Sequence, residues 1–271
     1  MTKFYLLPDS TYSQMFGCVI KTPKKTIVID GGSTGDAPQL TAFLRERCNS
    51  HVDAWFFTHP HHDHVGSFWK IQSEAPDITF DRVYLHFPDL PALLRCGTRW
   101  KEEGDMWEFF HEAVYVRHDP RYTMVERGDT IVIDGVTVSV KRTYNPEILC
   151  DFVNNTSTVY HVQGPKASVL ILGDLGEAAG EETMKLCTAE ELSADYTQMA
   201  HHGQNGANRA FYEYVRPKRC IWPTPAWLWN NDRGEGFDTG PWKTVRTREW
   251  MEALGVTEHI VEKDGLAEFE I

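Results

Sequence analysis

The sequence predicts an α/β protein built from two sheets with outer helices. Three observations predict it. The first third alternates short β-branched runs with segments of helical period, the pattern of a sheet covered by helices. In the middle, Asp134-Gly135 divides two alternating runs, which is a strong hairpin signal. Strand-like and helix-like runs then continue to the C-terminus, with no linker, internal repeat or low-complexity tract. The expectation is one domain over residues 1–271, with an aromatic-rich helical insertion at about 88–128.

The elements follow in order. Gly17 to Lys21 and Lys25 to Ile29 are strands joined by Thr-Pro-Lys, and Asp30-Gly31-Gly32 ends the second. Asp36 is placed as an N-cap, with Gln39 three residues on as in a capping box. Leu40, Phe43, Leu44 and Cys48 continue that helix. Val52 to Thr58 is a strand running into a histidine cluster, and Val65, Phe68 and Trp69 mark a second helix behind it. Arg82 to Phe87 reads as a strand, and Leu90 to Tyr115, with Trp100, Trp107, Phe109 and Phe110, as helical. Thr130 to Val140 is the Asp-Gly hairpin. Thr156 to Val162 and Ser168 to Leu172 are a strand pair joined by Gln163-Gly164-Pro165. Gly180 to Cys187 is a helix, and Tyr196 to Ala200 and Arg219 to Trp222 are later strands. Thr247 to Leu254 is a helix, followed by one or two strands within His259 to Ile271.

Composition excludes several classes. Charged residues are 24% and hydrophobic residues 41%, which rules out whole-chain disorder and coiled coil. No run approaches the ~18 apolar residues of a membrane span. The segment before Pro8 is too short for a secretory apolar region, so the chain is expected in the cytoplasm. Net charge is 27 − 39 = −12, and the densest basic run is the three lysines between Lys21 and Lys25. That argues against a long nucleic acid as an obligate partner, though not against a small phosphorylated substrate. The six cysteines are spread without a CxxC pair and read as reduced thiols.

The chemistry is concentrated in Thr58-His59-Pro60-His61-His62-Asp63-His64, with four histidines in six residues. Imidazole and carboxylate together suit zinc, iron and manganese. Positions 59 and 61 leave a strand end two apart and can face one way. Asp63 and His64 sit on the next turn of chain, so one loop can serve two adjacent metals.

This HxHxDH run after an apolar strand, with Asp30-Gly-Gly upstream, resembles the metallo-β-lactamase superfamily. Later signatures arrive in the same order, so the resemblance covers nearly the whole chain. Ser168-Val-Leu-Ile-Leu-Gly-Asp174 resembles the strand whose terminal aspartate bridges two metals. Asn154-Asn155-Thr156-Ser157 and the His201-His202-Gly203 motif resemble one branch, which includes the metallohydrolase domain of the DNA-uptake protein ComEC. The resemblance implies an αββα sandwich of two mixed sheets with the metal site at one edge. It implies His59, His61, Asp63, His64 and Asp174 as ligands, with one of His201 and His202 a further ligand, His201 foremost, and Asp63 and His202 as catalytic groups. It implies two divalent ions, zinc foremost, with manganese or iron as alternatives. Two departures from the commonest pattern are visible. No histidine lies between His118 and His161, and Asn155 occupies that neighbourhood, either as an amide ligand or as a turn cap. In place of a late histidine stands Ile221-Trp-Pro-Thr-Pro-Ala-Trp-Leu-Trp229.

The expected function is metal-dependent hydrolysis of a small ester or phosphodiester, with a small-molecule substrate and no membrane partner. A lactone or thioester hydrolase is the enzymatic alternative. A non-catalytic metal-binding or sensor module is the alternative from another class. The aromatic segments Trp100 to Phe110 and Trp222 to Trp229 predict core packing, a homodimer contact, or an apolar wall over the metals.

Overall fold

The computed structural model describes residues 1–97 and 103–271, so the expected helical position of Trp100 lies outside the described residues. The first half of the chain supplies β1 (Lys3–Leu6), β2 (Gly17–Lys21), β3 (Thr26–Asp30), β4 (His51–Phe56), β5 (Thr79–Leu85) and β6 (Tyr122–Met124). The second half supplies β7 (Thr130–Ile133), β8 (Val136–Arg142), β9 (Val159–Gln163), β10 (Ser168–Ile171), β11 (Tyr196–Gln198), β12 (Cys220–Trp222) and β13 (His259–Val261). The last strand, β14 (Ala267–Glu270), crosses back to pair with β1. Two seven-stranded sheets result, ordered β14-β1-β2-β3-β4-β5-β6 and β13-β12-β11-β10-β9-β8-β7. Both are mixed in the same manner. Strands β14 to β3 and β7 to β10 pair antiparallel, whereas β3 to β6 and β10 to β13 pair parallel.

Side-chain alternation makes the layers. Cys18, Ile20, Ile27 and Ile29 face Val138, Val162, Val169 and Ile171 in the core between the sheets. Their chain neighbours Val19 and Val28 turn the other way, against Leu40 and Leu44 of α1 (Ala37–Arg47) and Phe68 of α2 (His62–Glu74). α3 (Leu90–Cys96) and α4 (Glu103–His111) complete that side, and α4 runs on into a π-helical turn over Glu112–Val116. Short α5 (Phe152–Asn155) precedes β9, and α6 (Glu177–Leu186) and α7 (Ala189–Leu192) follow β10. Leu170, on the opposite face of β10 from Val169, packs in a cluster with Phe211 of α8 (Arg209–Val215) and Met251. α9 (Ala226–Trp229) and α10 (Thr244–Ala253), which carries Met251, finish the chain's helices. Four layers, helix–sheet–sheet–helix, match the expected architecture. Fully burying each of these aliphatic side chains stabilises the fold by about 1.5–3 kcal/mol.

Several details are local chemistry. Asp134 (φ 43°) and Gly135 (φ 84°) both take the left-handed conformation that a tight hairpin between β7 and β8 requires. Asp36 does sit at the N-cap of α1, but the capping box does not form. Its carboxylate instead accepts from Ser33 and Ser10, and the Gln39 amide donates to the Pro8 carbonyl. Strand β9 begins at Val159, later than the expected Thr156, because α5 and its cap consume residues 152–156. Trp107, Phe110 and Trp222 are core residues. Among the described residues no helix is long and apolar enough to cross a membrane.

Candidate metal centre

Five chain segments meet at the carboxyl ends of central strands. Asp30 ends β3, Thr58 to His61 follow β4 and lead into α2, Asp174 follows β10, His201 and His202 follow β11, and Pro223 follows β12. The crevice outside the carboxyl ends of parallel strands is where an α/β sheet leaves free backbone and side chains for a ligand.

The side chains form two groups that share Asp174, each with its donor atoms within 4.8 Å of one another. One is His59, His61 and Asp174; the other is Asp63, His64, Asp174 and His202. His59 Nε2 lies 3.0 Å from His61 Nδ1 and 3.8 Å from Asp174 Oδ2. His64 Nε2 lies 3.2 Å from Asp174 Oδ1. His202 Nε2 lies 3.2 Å from Asp63 Oδ2 and 3.5 Å from Asp174 Oδ2. Both oxygens of Asp174 and the Nε2 atoms of His64 and His202 are buried without a hydrogen-bond partner. Burying polar atoms without partners is costly, and a cation would satisfy all four at once. Nitrogen and oxygen donors of this kind fit a divalent transition metal. His201, expected among the donors, stands outside both groups, with its Nε2 3.8 Å from Asp174 Oδ2. His202 takes the inward position instead, one of the two assignments open for the adjacent histidines.

The backbone explains that exchange. His201 (φ 50°), His202 (φ 55°) and Gly203 (φ 77°) are all left-handed, an unfavourable run for two non-glycine residues. Three bonds secure the loop. His201 N–H donates to Gly173 O, His202 Nδ1 donates to Pro223 O at 2.8 Å, and Thr224 Oγ1 donates to His202 O. A Cβ at Gly203 would stand 2.5 Å from the Trp222 ring, so only glycine fits there.

A further set of residues fixes the donors. Asp30, fully buried, accepts from Thr58 N–H and Thr58 Oγ1 and faces His64 Nδ1 at 2.8 Å. A carboxylate behind a histidine ligand fixes its tautomer and ring orientation. Gln198 accepts from Leu172 N–H and donates to Gly173 O, tying β11 to the loop that carries Asp174. Ser157 Oγ accepts from Asp174 N–H. Trp107 Nε1 donates to Pro60 O at 2.7 Å, so α4 supports the histidine loop from outside. Gln14 Nε2 donates to Asp63 Oδ2 at 3.1 Å, and Gln204 Nε2 donates to Gln14 Oε1. The roles of Gln14, Trp107 and Gln198 leave no trace in the sequence, because each depends on a partner at least 25 residues away.

Asn155 lies outside both donor groups' bonding. Its Oδ1 accepts from Ala179 N–H at 3.1 Å and its Nδ2 donates to Cys150 O at 2.8 Å. The N-cap of α6 is Gly176, which has no side chain to cap with, and Asn155, at the end of α5, does so instead. Asn155 thus caps α6, rather than the turn before the Thr156 strand that the sequence suggests.

The electrostatics follow from burial and proximity. Burial pushes the His59 pKa well down, helped by neighbouring His64, and burial likewise lowers His61. For His64, burial opposes protonation, but the Asp174 and Asp30 carboxylates outweigh it and push the pKa up to about 10. Burial would raise Asp63 and Asp174, yet the surrounding imidazoles hold both below the usual carboxylate range. The carboxylates thus stay ionised and His59 and His61 neutral, the protonation state metal ligands need, whereas His64 and His202, raised by the Asp174 and Asp63 carboxylates, would each lose a proton on binding a metal.

Comparison with known proteins agrees with this geometry. The family model described as the metallo-beta-lactamase superfamily matches residues 18–254. Among solved structures, the metallo-beta-lactamase fold protein YhfI from Bacillus subtilis is 11% identical and superposes with a TM-score of 0.56 over 100% of both chains. A diphosphatase from the PhnP family is 14% identical, with a TM-score of 0.51 over 100% of this chain and 98% of that one. The CmlA beta-hydroxylase, in its E377D form, is 10% identical with a TM-score of 0.55, and matches over 100% of this chain and 54% of its own. These likenesses show the shared fold. No curated protein matches the sequence.

Proposed function

Because the chain belongs to the metallo-β-lactamase superfamily, we propose that it is a metal-dependent hydrolase acting on a small ester or phosphodiester, with phosphodiesters preferred. The observation that carries this reading is the pair of donor groups sharing a buried Asp174 whose two oxygens have no other partner. His59, His61 and Asp174 would hold one divalent ion, and Asp63, His64, His202 and Asp174 the second. Ions held there would supply Lewis acidity and a water acidified toward neutral pKa. The remaining work belongs to the chain. Asp63, oriented by Gln14, accepts a hydrogen bond from the attacking water and fixes its approach. His201, whose ring is partly exposed at the mouth of the site, faces the substrate and protonates the leaving group. Thr58, Asp30 and Pro223 O keep the inner imidazoles from rotating. The preference for a phosphodiester draws on the resemblance of Asn154 to Ser157 and of His201 to Gly203 to the ComEC-like branch, and on the neighbouring diphosphatase fold.

The test has two parts. Elemental analysis of protein purified without added metal should find one to two transition-metal ions per chain, about the stoichiometry two sharing sites allow. Turnover of bis(p-nitrophenyl) phosphate should exceed that of simple lactones and thioesters. Faster lactone turnover would move the assignment to carboxylic substrates, and protein that takes up no metal would remove it.

A further inference from the structure

A groove of about 240 Å³ is lined in part by the chain just beyond Asp174 and His202, and is basic in an otherwise acidic molecule. Arg209, Lys243 and Arg246 line it together with Trp250, Gln204 and Glu177. The balance of that lining is three cations to one carboxylate, in a chain where acids outnumber bases 39 to 27. Arg209 is paired with Glu213 at 2.7 Å, and the Glu177 carboxylate accepts from the Asn208 amide. Among the described residues Lys243 and Arg246 have no carboxylate within ion-pair distance, unlike Lys25, Arg45, Lys218 and Arg219.

The groove is joined to the catalytic residues by short stretches of chain. Gln204 is two residues beyond His202 and Glu177 three beyond Asp174, spans of at most about 7 Å and 11 Å. Gly206, also in its wall, packs so closely that a Cβ there would stand 2.6 Å from Ala200 O, at the start of the His201-His202 loop. Gln204 also reaches Asp63 through Gln14.

Resting on the phosphodiester reading above, we infer that this groove binds a second phosphate of the substrate, so that the preferred substrate is a phosphodiester with a terminal phosphate on one arm. Two unpaired cations next to a third suit a dianion better than a singly charged carboxylate. Arg246 offers the planar fork that takes two phosphate oxygens, and Lys243 a point charge beside it. The phosphate stays intact; it positions the neighbouring diester bond, so the gain appears in substrate binding.

The test uses metal-loaded protein and two p-nitrophenyl phosphodiesters, bis(p-nitrophenyl) phosphate and one whose second arm ends in a phosphate. Wild type should show a KM at least tenfold lower for the phosphate-bearing diester. The double variant Lys243→Ala, Arg246→Ala, altered only at exposed positions, should lose that advantage with kcat unchanged and with bis(p-nitrophenyl) phosphate unaffected. An unchanged KM for the phosphate-bearing diester in the double variant overturns the inference. In parallel, calorimetric titration with inorganic pyrophosphate should give a Kd about tenfold weaker for the double variant, and equal Kd values overturn the inference even if neither diester is cleaved. Loss of pyrophosphate affinity without any phosphodiester turnover would retain the anion site and reject the hydrolase reading instead.

Discussion

Asp63 is the residue on which the proposed chemistry turns most directly. Asp63→Asn keeps volume and leaves a donor–acceptor amide facing Gln14 and His202, so the fold should persist. It removes the negative charge that orients the attacking water, and turnover should fall by two orders of magnitude or more. Steady-state kinetics on the identified substrate, with circular dichroism as the control, decides this. Asn155 gives the opposite expectation. Its amide caps α6 rather than serving a metal, so Asn155→His should leave zinc affinity unchanged in a chelator competition. It should lower stability by about 1 kcal/mol, the usual cost of losing a cap. A rise in zinc affinity would return Asn155 to the coordination sphere. Glu262 supplies a pH dependence. It is buried, neither carboxylate oxygen has a hydrogen-bond partner, and burial pushes its pKa well above the usual value. An acid whose folded pKa is raised favours folding while protonated and penalises it once pH rises past its unfolded value near 4.5. Glu262→Gln should therefore stabilise the protein at neutral pH, by a margin that vanishes below the unfolded value, opens as pH rises above it and levels off once pH passes the raised folded value. Melting curves from pH 4 to pH 8, roughly the range over which that margin opens, measure it; a margin independent of pH would show that Glu262 ionises normally.

At the scale of elements, helix α4 does more than cover the first sheet. Trp107 is buried and its indole N–H holds Pro60 O, inside the histidine loop. Trp107→Phe keeps most of the packing and removes a hydrogen bond worth about 0.5–1.5 kcal/mol. The predicted outcome is weaker metal retention, by up to tenfold in a chelator competition, with little change in helix content. Unchanged retention would make the contact incidental. The elements divide instructively by how they could be read. The β2–β3 and β7–β8 hairpins, α2 and β10 were legible because their signals are contiguous: β-branched runs, an Asp-Gly turn, a helical period. The motif from His59 to His64 was legible for the same reason. Strand β1 was missed because its short run stops at Pro8 and is completed only by pairing with β2 and β14, the latter more than 260 residues on. The Asp36 capping box failed because Ser10 and Ser33 compete for the carboxylate. The roles of His201 and His202 depended on a left-handed backbone secured by Pro223 and Gly173, which no residue pattern encodes.

Across the whole molecule, the donors are divided between two sheets, the first completed by β14 from the far end of the chain. His59, His61, Asp63 and His64 come from the first sheet's rim, and Asp174 and His202 from the second's. Without a cation, buried Asp174 and half-buried Asp63 are anions at the seam, with imidazoles as their main compensation. A metal that binds both groups therefore ties one sheet to the other and binds the folded state far better than the unfolded chain. Such linkage stabilises by RT ln(1 + [L]/Kd), about 4 kcal/mol when free metal exceeds Kd a thousandfold. Chelation should lower the melting temperature by several degrees, and zinc or manganese should restore it in proportion to the logarithm of added metal. The Asp174→Asn variant isolates the cause, since Asp174 is the donor shared by both groups. It removes the carboxylate that the surrounding imidazoles hold ionised, so its metal-free form should melt below metal-free wild type, and its gain on adding metal should be largely lost. An equal gain in both proteins would show that the stabilising ion sits elsewhere, and that the two sheets are held together by the apolar core between them alone.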